Sequence, residues 1–293
     1  MSRRWLRRHG AVLLCLAVLV TVRAGLLLAE VVPFNSDEAV VALMARHILQ
    51  GARPVFFYGQ AYLGSLDAWL AAGAFRVFGE SVLAVRGVQL ALYAGTLLTT
   101  YAVVLEITGR RWAARQAALW LALPPVTLTL YTTASLGGYG EALLIGNLLW
   151  LSALRIARPE PHAGDAVGAL LQPRPRLCSW LALGFLSGLG LWVFPLTGVY
   201  ALPAWGLAAW ANRRWPALPQ LGALGLAGGA AGVGAAPWLW ATWAGAPTLA
   251  ETGGAALAGA SAWGARLLSL GLFGPTVVGG FRPSWSVEAL ALP

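Results

Sequence analysis

Lysine is missing from this 293-residue chain, and all 20 basic residues are arginine. Charge of either sign is scarce. Charged residues make up 11% of the chain, against about 25% in an ordinary soluble protein. With 58% hydrophobic residues, that scarcity excludes a soluble globular enzyme. It also excludes disorder, which needs low hydrophobicity and high charge. Only two cysteines occur, Cys15 inside an apolar run and Cys178 at the start of another. Two cysteines build no zinc cage, and their placement gives no disulfide framework. Both read as small residues tolerant of apolar surroundings. P-loop, zinc and nucleophile-elbow patterns are absent.

What the chain has instead is apolar runs long enough to cross a bilayer, which takes about 20 residues. They cover Ala11 to Ala29, Val82 to Ile107, Ala113 to Thr133, Glu141 to Ile156 and Leu221 to Trp243. Leu177 to Asn212 is long enough for two short spans that break near Pro195. The expectation is an all-α, polytopic integral membrane protein with about seven transmembrane helices. Residues 1–293 read as a single membrane domain, without an internal repeat.

The arginines set the orientation. Thirteen fall on one side: Arg3, Arg4, Arg7 and Arg8, then Arg110, Arg111 and Arg115, then Arg155, Arg158, Arg174 and Arg176, then Arg213 and Arg214. The other side has six, and it holds most of the acids: Glu30, Asp37, Glu38, Asp67, Glu80, Glu141, Glu251 and Glu288. The arginine-rich side is therefore expected in the cytoplasm, with the N-terminus. The net charge of +9 is a topology signal, and no nucleic-acid partner is implied.

This topology leaves a long first extracytoplasmic loop, about residues 30–81. Asn35 with Glu38 three residues on predicts a capping box at the start of a helix ending near Gly51. A second helix is predicted from Ser65 to Phe78. Both are apolar on much of their surface and should lie on the membrane face. An aromatic connector, Pro54 to Tyr62, joins them. The adjacent carboxylates Asp37 and Glu38 open several readings. They favour a helix N-terminus electrostatically. A carboxylate held at the water–lipid boundary can also serve as general base toward a hydroxyl or bind a divalent cation.

The series of features is specific in its order. A span containing Arg23 leads into Asp37-Glu38-Ala39, a helix closed by Gly51 and Pro54, and an aromatic-glycine segment from Tyr58 to Gly64. Trp69, Phe78-Gly79-Glu80-Ser81 and Ala84-Val85-Arg86 follow. This order resembles the polytopic glycosyltransferases of the GT-C fold. It is most similar to the bacterial branch related to the protein O-mannosyltransferases and the lipid A aminoarabinose transferase. The likeness covers residues 11 to about 150 and extends more weakly to about 245.

The resemblance implies a polyprenyl-phosphate-linked sugar donor and an active site on the outer face of the bacterial cytoplasmic membrane. It places the catalytic carboxylate at Asp37, with Glu38 as a cap or supporting residue. Gln60 stands where the aminoarabinose transferase carries a metal-binding Glu, so no metal ligand is carried over. A divalent cation stays open as a cofactor. Asp67 reads as a solvated position on the second helix.

Other residues keep two readings. Arg23, about 18 Å into its span by helical rise, faces a lipid phosphate or pairs with an outer acid such as Glu30. Arg86 meets the same phosphate or anchors its helix at the interface. Tyr58 and Tyr62 stack on sugar faces or anchor the loop at the interface. Glu141 caps its helix or joins the site, across a glycine turn (Gly137, Gly138, Gly140) that no strand precedes. His47, Arg266 and Arg282 are weaker candidates.

The expected chemistry is a single displacement. Asp37 would take the proton of an acceptor hydroxyl, carried by a glycan, lipid or protein, as it attacks the anomeric carbon. Stabilising charge on the departing lipid phosphate is the main task. The alternatives are a membrane transporter or lipid flippase, and a non-catalytic fragment of a transferase. Members of the resembling family are longer, and Ala291-Leu292-Pro293 reads as an interruption before a further span.

Overall fold

Prolines and glycines punctuate an otherwise helical chain, and they decide where the apolar runs stop. The computed structural model describes residues 3–158, 175–213 and 217–248, with residues 264, 267, 271, 274 and 275. Arg266, Arg282 and the terminal Ala291-Leu292-Pro293 lie outside the described residues.

The first apolar run forms α1 (Arg3–Leu28). The loop after it holds α2 (Ser36–Leu49) and α3 (Leu66–Phe78). Between these two lies an antiparallel hairpin, β1 (Phe56–Phe57) and β2 (Gln60–Gly64). Then come α4 (Val82–Thr108), α5 (Arg111–Ala122), α6 (Val126–Tyr131) and α7 (Tyr139–Ala157). Beyond residue 174 follow α8 (Pro175–Val193), a 3₁₀ turn at Pro195–Thr197, α9 (Gly198–Asn212), α10 (Ala217–Gly234) and α11 (Ala236–Trp243).

Among the described residues, the protein is all-α apart from that hairpin. Three segments are long and apolar enough to cross a membrane: Gly10–Leu28, Val82–Thr108 and Tyr139–Ala157. Leu177–Val193 and Leu221–Gly234 are apolar but shorter.

The run from Ala113 to Thr133 is not one helix, contrary to expectation. α5 stops at Ala122 and α6 starts at Val126, with Pro124 and Pro125 between them. Proline has no N–H to donate and clashes with the preceding turn, so adjacent prolines end the helix. The run from Leu221 to Trp243 is likewise divided, at Ala235 with Pro237 in the next first turn. The expected break near Pro195 is present.

Helices pack through small residues and polar bridges, as suits a medium with no hydrophobic drive between helices. On α8 and α10 the backbones touch. A Cβ built on Gly184 would lie 2.0 Å from the Ala227 carbonyl oxygen, and one on Gly188 would lie 1.9 Å from that of Ala231. Between α4 and α7, Asn147 Nδ2 donates to Thr96 O at 3.1 Å and to Thr100 Oγ1 at 2.7 Å.

Charged side chains gather at the helix ends. Arg158 pairs with Glu106 where α4 and α7 finish. Where those two helices begin lie Glu38, Asp67, Glu80, Arg86 and Glu141.

Candidate functional site

The first loop is tied down from both ends. Asn35 Oδ1 accepts the Glu38 backbone N–H at 3.0 Å and caps α2. The reciprocal half of the capping box is not made, because the Glu38 side chain turns to Arg86. Arg86 Nε donates to Glu38 Oε1 at 2.9 Å and Nη2 to Oε2 at 2.8 Å. Arg86 Nη1 also donates to the Val32 carbonyl at 2.9 Å, and Nη2 to that of Pro33 at 3.2 Å. The pair is buried, Glu38 at 0% and Arg86 at 5% exposure. A bidentate guanidinium–carboxylate fork of this kind fixes geometry as well as charge. Arg86 is thus an internal tie between the residue 32–33 strand of chain, α2 and α4, rather than a surface cation awaiting a phosphate.

Asp37, one residue earlier, is exposed in the first turn of α2. Two neighbouring carboxylates are thereby separated in role. One is buried and neutralised, and the other is open to its surroundings. Tyr139, at the start of α7, lies within electrostatic reach of Asp37, Tyr62 and Tyr131. Sequence-distant segments therefore converge around the α2 N-terminus.

The aromatic connector is a hairpin rather than an irregular loop. Phe57 pairs with Gln60 across Tyr58-Gly59, and Gly59 has φ +83°. Such a positive φ suits glycine in a tight turn. Tyr58 is exposed, and its hydroxyl shares a hydrogen bond with His47 Nδ1 at 3.0 Å. Tyr62 is half-buried on β2. Trp192 Nε1 donates to the Val55 carbonyl at 2.9 Å, so α8 clamps the base of the hairpin. Beside this clamp is a shallow depression of about 330 Å³, lined by Arg53, Pro54, Val55, Trp69, Trp192 and Pro237.

Arg23 is neither turned to a lipid phosphate nor paired with Glu30. It is 3% exposed. Its guanidinium donates to the Thr129 carbonyl at 2.7 Å, to Thr132 Oγ1 at 2.6 Å and to Thr133 Oγ1. It also sits 4.7 Å from the centre of the Tyr93 ring. The break at Pro124-Pro125 explains this. It creates a short helix whose last turn exposes carbonyl and hydroxyl oxygens, and a cation there meets the negative end of the dipole.

Asp67 departs furthest from expectation. It is 2% exposed, not solvated. Its Oδ1 accepts the Ala68 N–H at 2.7 Å and its Oδ2 accepts Ser135 Oγ at 3.3 Å. Ser135 Oγ in turn accepts from Gln89 Nε2 at 3.2 Å. Burial pushes the Asp67 carboxyl up to about 6. Glu141, in the first turn of α7, is also 2% exposed. Both its carboxylate oxygens lack a hydrogen-bond partner. Asp67 lies on the inward stripe of α3 with Ala68, Ala71, Ala72 and Phe75, while Trp69, Leu70, Gly73 and Val77 are exposed. Because that outer face is itself apolar, the sequence pattern did not mark which face is buried. The preceding glycine turn was the available signal, because it lets the chain fold back over α3.

No family model, curated protein or solved structure matches this chain. Among the described residues no group of three or more His, Cys, Asp or Glu side chains is placed to hold a metal.

Proposed function

We propose that this protein is a GT-C-like, seven-span glycosyltransferase of the bacterial cytoplasmic membrane, with its N-terminus in the cytoplasm. It moves a sugar from a polyprenyl-phosphate carrier to an acceptor hydroxyl on the outer face. The observation that carries the reading is the division of labour between Asp37 and Glu38. Arg86 holds Glu38 in a buried fork, so α2 has a fixed base on which an exposed Asp37 is presented. A general base needs that combination of rigid support and access. Tyr58 and Tyr62 supply aromatic faces for a sugar beside it. Arg53, exposed at the lip of the aromatic depression, is an outer-face arginine available to a phosphate. Arg23 and Arg86 are engaged within the protein and serve the fold.

The test is transfer of labelled sugar from a panel of polyprenyl-phosphate sugars in vesicles. Asp37→Asn keeps the shape and removes the base, and transfer should fall by roughly 10²–10⁴-fold. Near-normal transfer in that variant overturns the assignment.

A second reading, a transporter or lipid flippase, is favoured by one observation. Arg23, Asp67 and Glu141 are buried beside helices broken at Pro124-Pro125 and Pro195, and transporters place such groups near broken helices. Movement of a labelled lipid-linked sugar between leaflets without transfer to any acceptor would select it.

A further inference from the structure

Removing a carboxylate from water without a compensating partner is costly, and the cost is met by pairing, by a bound cation or by taking up a proton. The two buried carboxylates at the outer end of the bundle differ in this respect. Asp67 has two hydrogen bonds from the protein. Glu141 has none on either oxygen, and no salt bridge reaches either residue among the described residues. The two lie close enough to feel each other's charge. Neutral oxygens surround them. Ser135 Oγ bridges Asp67 and Gln89. Gln89 Oε1 is packed against Gly140, where a Cβ would come within 2.4 Å of it. Ser135 and Gln89 thus link α3, α4 and the turn before α7, and Glu141 follows Gly140 directly in the first turn of α7.

We propose that Asp67 and Glu141, with Ser135 Oγ and Gln89 Oε1, bind one hard divalent cation of the Mg²⁺, Mn²⁺ or Ca²⁺ class. The donor set is all oxygen, without His or Cys, which suits hard cations rather than zinc or copper. Two carboxylates balance a charge of two. A proton shared between the two carboxylates would relieve the same burial, and the two accounts differ in whether a metal ion or only acid stabilises the fold. Cation ligation uses both free oxygens together. Gly140 is required here because any side chain would displace Gln89 Oε1 from the site. The site does not depend on Asp37 or on sugar transfer. Its role is to pin the turn before α7 onto α3.

The experiment uses the full chain in lipid nanodiscs, stripped with EDTA and titrated with Mn²⁺. Bound ion is read by electron paramagnetic resonance, and thermal stability is followed in parallel. One Mn²⁺ per chain is expected, with a rise in melting temperature. Glu141→Gln and Asp67→Asn should abolish binding, while Ser135→Ala and Gly140→Ala should weaken it roughly 10–100-fold. Glu80→Gln removes an exposed acid on the same side and should bind as the wild type does. In EDTA, Glu141→Gln should be at least as stable as the wild type, because without the cation the carboxylate has nothing to hold. The proposal is overturned if the wild type takes up no Mn²⁺ at millimolar concentration. It is equally overturned if uptake survives both carboxylate substitutions, or if only acid, and no cation, stabilises the protein.

Discussion

At the residue scale, charge placement in this chain is a matter of which carboxylates are paired. Breaking the Glu38–Arg86 fork leaves one buried charge alone, so Glu38→Gln or Arg86→Met should cost about 3–5 kcal/mol. The exposed Arg46–Glu80 pair, at 2.7 Å, should cost about 0–1 kcal/mol when broken. Chemical unfolding in a mild detergent measures both. Asp67 gives a prediction in pH. Its folded carboxyl titrates near 6, raised by burial from 3.8. A raised folded value means the native state holds its proton longer than the unfolded chain. The associated stability is complete below about pH 4 and is lost as pH rises to about 6, by something of order 3 kcal/mol. Asp67→Asn, compared with wild type in EDTA, should remove that decline. The Asn35 cap of α2 was legible in the sequence, because capping is local. The partner of Glu38, 48 positions away, was not. Neither was the burial of Asp67, which depends on a turn that returns to α3 from residue 135.

At the element scale, the fit of α8 to α10 rests on residues without side chains. Gly188→Ala would place a methyl group 1.9 Å from a backbone carbonyl, and the two helices would have to part. Overpacking of this kind should cost about 1–3 kcal/mol. Gly225, on α10 but facing open space, gives the opposite outcome. Gly225→Ala should be neutral or stabilising by up to about 1 kcal/mol, through helix propensity alone. Thermal unfolding of the two variants side by side separates close approach from propensity. Helix ends were the most legible part of the fold. Gly51, Gly79 and Gly109 all stop helices with positive φ. The hairpin was missed because its strands have two and five residues, too short for alternation to declare itself. Tyr58-Gly59 between two aromatic stretches was the turn signal in hand.

At the scale of the whole molecule, the arginine count predicts an orientation, and the native cysteines can test it. Cys178 is exposed near the start of α8, whereas Cys15 is buried in α1. A membrane-impermeant maleimide should label Cys178 in inverted vesicles and leave it untouched in right-side-out spheroplasts. In a Cys178→Ala background, Arg53→Cys should show the reverse. Labelling of both from one side would overturn the orientation. Apolar run length located the three helices long enough to cross a membrane but could not say which runs were interrupted, since that depends on prolines acting in a packed context. The hydrogen bond from Trp192 to Val55 spans 137 positions, and Gly64 lies against the Trp192 backbone, where a Cβ would meet its carbonyl oxygen at 2.6 Å. The hairpin is translated well before Trp192. The loop that presents Asp37 therefore stays unclamped until α8 has been made and packs against it. Its final shape is a late event in the biogenesis of the protein, although it is among the first segments translated.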